Sequence, residues 1–106
     1  MTPWVSEKLF ALAERGHKCE ECGRYTDALE FHHGLIHRNK RFAEWIDKRY
    51  NGALVCQECH QRGEVDTLDW RREFWVRQVN RYGYELMVDW IDSLPDKLRY
   101  RIDFVS

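Results

Sequence analysis

A chain of 106 residues with 43% hydrophobic and 14% aromatic content is most simply one domain, long enough to bury roughly 65% of the surface its unfolded form exposes. A net charge of −1 argues against a protein that does nothing but coat nucleic acid, and no apolar run approaches the roughly 20 residues that span a bilayer. The segment from Met1 to Lys8 lacks the basic-then-apolar order of a secretory signal. A cytoplasmic location is therefore expected, and there clustered cysteines favour a metal over disulfides.

In chain order, Thr2-Pro3 reads as a helix start, a capping hydroxyl followed by proline at the first helical position. Val5, Leu9, Phe10, Leu12 and Ala13 give an apolar face, and Gly16 a stop, so residues 1–17 are expected to form an N-terminal helix. A Cys-x-x-Cys pair follows at Cys19 and Cys22, with Gly23 suited to its tight turn. Leu29 to His32 reads as a short strand. The segment 34–50 holds a basic stretch and a helical spacing of Phe42, Trp45 and Ile46, and Ala53-Leu54-Val55 suits a short buried strand. A second Cys-x-x-Cys, Cys56 and Cys59, closes a core spanning 18–62.

Residues 64–106 read as a helical C-terminal extension supporting that core. Asp66, Thr67 or Asp69 can cap a helix carrying Trp70, Phe74, Trp75, Val79 and Tyr82. That aromatic stripe could stack on bases, but its helical spacing is that of core packing. Gly83 breaks the helix, and a second one with Leu86, Met87, Trp90, Ile91 and Leu94 stops at Pro95. Leu98, Tyr100, Ile102 and Phe104 alternate with polar residues, the period of an extended tail that could pair with a second copy or a protein partner.

The spacing C-x2-C-x33-C-x2-C lets two thiolate pairs complete a tetrahedral zinc shell at about 2.3 Å. Such an ion contributes about 10–16 kcal/mol to folding of small modules. With four thiolates it has no open position, so it is structural, and chemistry needs other residues. Phosphodiester hydrolysis needs a base for water, a cation for developing charge, and groups that hold both. His32 and His33 are adjacent on an expected strand and point to opposite sides, one toward a metal and one toward the attacking water. His60 follows Cys59 directly, so the zinc fixes its place. Between Arg38 and Arg49 five basic residues face only Glu44 and Asp47, and Arg38, Lys40 and Arg41 are candidates for phosphate contact. His37 reads as loop decoration, His17 as solvent-facing, and Asp69 and Asp89 as unpaired acids that make no second metal site.

The run Cys-x2-Cys, Leu29-Glu-Phe-His-His33, Asn51-Gly-Ala-Leu-Val-Cys56-x2-Cys-His60 resembles the zinc-bearing form of the HNH endonuclease motif over roughly Cys19 to Gln61. The resemblance implies an α+β fold, a small ββα-metal finger stabilised by the four-cysteine zinc site and flanked by N- and C-terminal helices. It implies His33 as general base, and His32 and His60 as ligands of a catalytic divalent ion such as Mg²⁺ or Mn²⁺ that stabilises the leaving 3′ oxygen. Asn51 matches the catalytic-motif asparagine that braces the finger and in some members contacts the metal. DNA is the implied substrate, cut to a 5′-phosphate and a 3′-hydroxyl. Compact stand-alone members resemble phage-encoded enzymes, which would place the protein in a host cytoplasm. The sequence departs from the pattern in three places. It offers no further histidine after His60, its inter-strand segment is long, and nothing after Gly63 carries a motif. A zinc finger that binds nucleic acid or protein without cutting is the alternative, as is an adaptor using the tail for docking.

Overall fold

The computed structural model describes residues 3–99, and the side chains of 5–98. Helix α1 (Pro3–Arg15) is followed by strand β1 (Leu29–His33), a one-turn helix α2 (Ala43–Ile46) and strand β2 (Gly52–Cys56). Helix α3 (Gln57–Arg62) leaves β2 without a loop, and α4 (Leu68–Tyr82), α5 (Tyr84–Asp92) and α6 (Asp96–Arg99) complete the order. The fold is α+β, and its sheet is one antiparallel pair with Leu29 opposite Cys56 and His33 opposite Gly52. None of the described helices is long and apolar enough to cross a membrane.

Every residue of β2 is buried, yet a two-stranded sheet leaves it one edge without a strand partner, and buried backbone groups must be paired. Side chains supply the missing partners. Arg15 donates to the Gly52 carbonyl at 2.6 Å. Glu20 accepts from Leu54 N–H through Oε2 at 2.5 Å, while its own N–H donates to the Leu54 carbonyl at 2.8 Å. Cys56 N–H donates to the sulfur of Cys19 at 3.3 Å. An ion pair of 3.0 Å joins Arg15 to Glu20, with side-chain exposures of 5% and 7%, and Arg81 of α4 reaches Glu20 Oε1 at 2.8 Å. One carboxylate thus ties α1, the cysteine turn, β2 and α4 together. Gly52 is required for a different reason: a Cβ there would stand 2.1 Å from the Phe31 ring.

The core runs from Ala11 through Leu54, Val55 and Ile46 to Phe74, Met87 and Leu98. Gly16 ends α1 as expected, with its N–H on the Leu12 carbonyl at 2.8 Å. The helix faces the core differently from the expectation: Ala11 is buried while Leu9 and Phe10 are exposed. The helix meets β2 and the turn before it at Ala11, with Leu12 partly buried against the core. Thr67 is the cap of α4, accepting from Trp70 N–H at 3.1 Å. Trp70, Phe74 and Trp75 are buried, with the Trp70 and Phe74 rings stacked at 5.1 Å, so the aromatic stripe is core. Gly83 separates α4 from α5. The expected extended tail begins instead as helix α6, whose Leu98 is buried in the core; Tyr100, Ile102 and Phe104 lie outside the described residues.

Removing one partner of a buried charge network leaves the rest uncompensated, at a cost of about 3–5 kcal/mol. Glu20→Ala is expected to lower stability by that amount in urea unfolding. Glu58→Ala breaks only an exposed pair with Arg24 and should leave the midpoint nearly unchanged. Equal effects would show that the Glu20 network does not hold the elements together.

Candidate functional site

The two cysteine pairs are brought to one point by the pairing of β1 with β2. Cys19 to Gly23 form a tight turn closed by Gly23 N–H on the Cys19 carbonyl at 2.9 Å, with Gly23 at φ +80° where a side chain would be strained. Cys56 ends β2 and Cys59 lies one turn into α3. The four sulfur atoms lie within 4.8 Å of one another, and Cys22 and Cys56 are 3.8 Å apart. The group can hold a metal ion. Burial opposes ionisation of Cys19, but the backbone N–H groups of Cys22, Cys56 and Glu21 outweigh it and bring the thiol down to about 7. Burial pushes the Cys59 thiol up. A cation at the centre would favour all four thiolates.

Toward the His33 end of β1 lies a cleft lined by Phe31, His32, His33, His37, Arg38, Asp47, His60 and Asp66. The two adjacent histidines turn to different partners, as alternation requires, yet both border this cleft. His32 is 5% exposed. Its Nε2–H donates to the Val65 carbonyl at 2.7 Å, and its Nδ1 lies 3.2 Å from His60 Nε2. Burial, opposed by the Val65 hydrogen bond, holds the His32 pKa down at about 4, so the ring is neutral at pH 7 and Nδ1 carries a lone pair. His33 Nε2–H donates to Asp47 Oδ1 at 2.6 Å. Burial lowers the His33 pKa, with Asp47 pulling the other way, and the hydrogen bond leaves Nδ1 as the basic atom of the ring.

Asn51 is placed differently from a catalytic or metal-contacting group. It is 0% exposed. Its Oδ1 accepts from Leu35 and Ile36 N–H at 2.9 and 2.8 Å. Its Nδ2 donates to the Ile36 and Ile46 carbonyls at 2.9 and 3.0 Å. Every polar atom is thus taken, and Asn51 braces the loop between the strands, holding Asp47 against His33. Arg38 borders the cleft, whereas Lys40 and Arg41 stand on the turn beyond and do not line it. His37, expected to be loop decoration, also lines the cleft and meets the buried Arg71, whose guanidinium donates to the Gly34 carbonyl at 3.1 Å and to Asp66. His17 is exposed beside Asp27, and Asp69 pairs only loosely with Arg72 at 3.9 Å.

The chain matches no protein-family model, no curated protein and no solved structure.

Geometry alone therefore carries the chemistry. The cleft offers a histidine oriented by a carboxylate, two imidazole nitrogens facing each other, and a guanidinium at the rim. Asp47, Glu30, Asp66 and Arg71 are additions that spacing does not indicate. Asp47 carries one legible signal, a carboxylate inside a basic run. At the cysteine site, the purified chain is expected to carry one metal ion per molecule, counted by elemental analysis. Cys56→Ser should lose the ion together with native circular dichroism, and a folded, metal-free Cys56→Ser chain would overturn the assignment.

Proposed function

We propose that this protein is a metal-dependent endonuclease of the HNH type acting on DNA, with a zinc ion in the four-thiol site and a ββα-metal finger formed by β1, β2 and α3. The observation that carries the reading is the His33–Asp47 hydrogen bond of 2.6 Å beside the facing nitrogens of His32 and His60, all bordering one cleft. Four ligands at about 2.3 Å in a tetrahedron have edges of about 3.8 Å, which agrees with the 3.8 Å between the Cys22 and Cys56 sulfurs.

In this reading His33 takes a proton from water at Nδ1, and Asp47 keeps the ring in the tautomer that allows it. The arrangement is that of a nucleophile–base pair held by a carboxylate, here with water as the nucleophile. His32 and His60 would hold a divalent cation, which when bound supplies positive charge for the leaving 3′ oxygen. Arg38 at the rim provides a phosphate contact. Lys40 and Arg41, further out, can track the nucleic-acid backbone without reaching the reacting bond. Burial lowers the His33 pKa against the pull of Asp47, which favours the unprotonated ring that a general base needs.

The test is plasmid nicking by the purified chain with Mg²⁺, Mn²⁺ or Ni²⁺, beside a control without added metal. Cleavage should need the added ion, and His33→Ala should lower it by about 10²–10⁴-fold, the usual share of a general base. Asp47→Asn should lose part of that share through the turnover number rather than KM. Nicking by His33→Ala at the wild-type rate would remove His33 from the chemistry. Absence of cutting on plasmid and branched DNA, with retained DNA binding, would establish the non-catalytic zinc-finger alternative.

A further inference from the structure

Glu30 takes no part in the hydrolysis proposed for the cleft. It lies two residues before His32 on β1 and therefore on the same strand face. Its Oε1 is 3.3 Å from His60 Nδ1. A carboxylate only accepts, so Nδ1 of His60 carries the hydrogen, and in a neutral ring Nε2 is left with a lone pair. The Val65 carbonyl acts on the other ring in the opposite sense. It accepts from Nε2–H of His32 at 2.7 Å and leaves Nδ1 bare. The two bare nitrogens then face each other at 3.2 Å. Two lone pairs at that distance repel, and a positive body between them, a proton on His60 or a metal ion, relieves the repulsion. Two nitrogens on one ion at about 2.1 Å would stand about 3.0–3.4 Å apart, from octahedral to tetrahedral geometry.

The geometry points to Glu30 as the positioning residue that selects Nε2 of His60 for a divalent transition-metal ion shared with Nδ1 of His32. The inference rests on the proposed nuclease reading for what the ion does there, but not for its binding. A carboxylate behind a ligating histidine fixes the ring and raises its basicity. Asp66 plays no such part, because it approaches His32 from the Nε2 side at 3.9 Å and is engaged by Arg71. With two imidazoles as the protein ligands, the seat suits Mn²⁺, Co²⁺, Ni²⁺ or Zn²⁺ better than Mg²⁺, which takes oxygen ligands. Glu30 is half-exposed, so its replacement should act on the metal more than on the fold.

The experiment titrates Mn²⁺ into the full chain with its thiol site zinc-loaded, following the free ion's electron paramagnetic resonance signal, with plasmid nicking in parallel. Glu30→Ala should weaken Mn²⁺ binding by about 10–100-fold at unchanged zinc content and thermal midpoint. Glu30→Asp should recover part of the loss, and His60→Ala should abolish binding. Wild-type affinity in Glu30→Ala, with binding lost in His60→Ala, would overturn the role of Glu30 and leave the nuclease reading intact. A wild-type chain that binds no Mn²⁺ would overturn the inference outright. Weakened Mn²⁺ binding in Glu30→Ala, in a protein that cuts no DNA, would uphold the metal seat and overturn the nuclease reading instead.

Discussion

The outer edge of β2 is the constraint from which the rest of this structure follows. A five-residue strand with all its residues buried cannot leave backbone N–H and C=O groups without partners, and this chain has no third strand among its described residues. Arg15, Glu20 and Cys19 fill the gap at Gly52, Leu54 and Cys56. The closure does three things at once. It anchors the C-terminal end of α1, it carries the first cysteine turn to the second, and through Arg81 it draws α4 across the sheet. A buried ion pair is weak grounds for net stability by itself. Here the charges also serve as surrogate strand, which an apolar replacement could not do.

The same two strands set the geometry of the cleft. Register places His32 and His33 opposite Ala53 and Gly52, and the direct run from β2 into α3 places His60 one residue past a cysteine of the thiol cluster. The loop between the strands contributes the remaining acid. It can hold Asp47 against His33 because Asn51 satisfies four backbone groups along it. Each histidine facing the others across the cleft is thus held by a second group whose own position is set by the fold. His33 rests on Asp47, His32 on the Val65 carbonyl, and His60 on Glu30. Such support fixes the three imidazoles relative to one another.

What was legible in the sequence is what local spacing encodes. Cysteine pairs two apart, a strand ending in two histidines, an asparagine opening a second strand and a capped aromatic helix can all be read over a few residues. Their places agree with the structure, except that Asn51 lies in the turn just before β2. The misjudged features depend on where an element goes after it forms. Ala11 is buried and Leu9 exposed because α1 meets the sheet at its smallest residue, a choice no periodicity records. Asp47, Glu30 and Glu20 look like ordinary surface acids until pairing brings a histidine or a bare N–H beside them. Asn51 was recognisable as important, but whether it meets an ion or the backbone depends on the path of a loop. The alternation of Leu98 to Phe104 reads as an extended tail, yet Leu98 belongs to a short helix and is buried in the core.

Cys59 and His60 are neighbours on a six-residue helix, so the thiol cluster and the imidazole pair each take one member from the same piece of backbone. Under the proposed reading, with an ion at each site, chelators would have two ways to silence the protein. A fast-acting one would empty the open imidazole seat and leave the frame standing, an inhibition reversed at once by adding metal back. A slow or stronger one would strip the closed thiol cluster, let α3 come away from β2 and scatter the cleft, and recovery would then proceed at the pace of refolding. The time course of reactivation, rather than the extent of inhibition, would separate the two proposed ions.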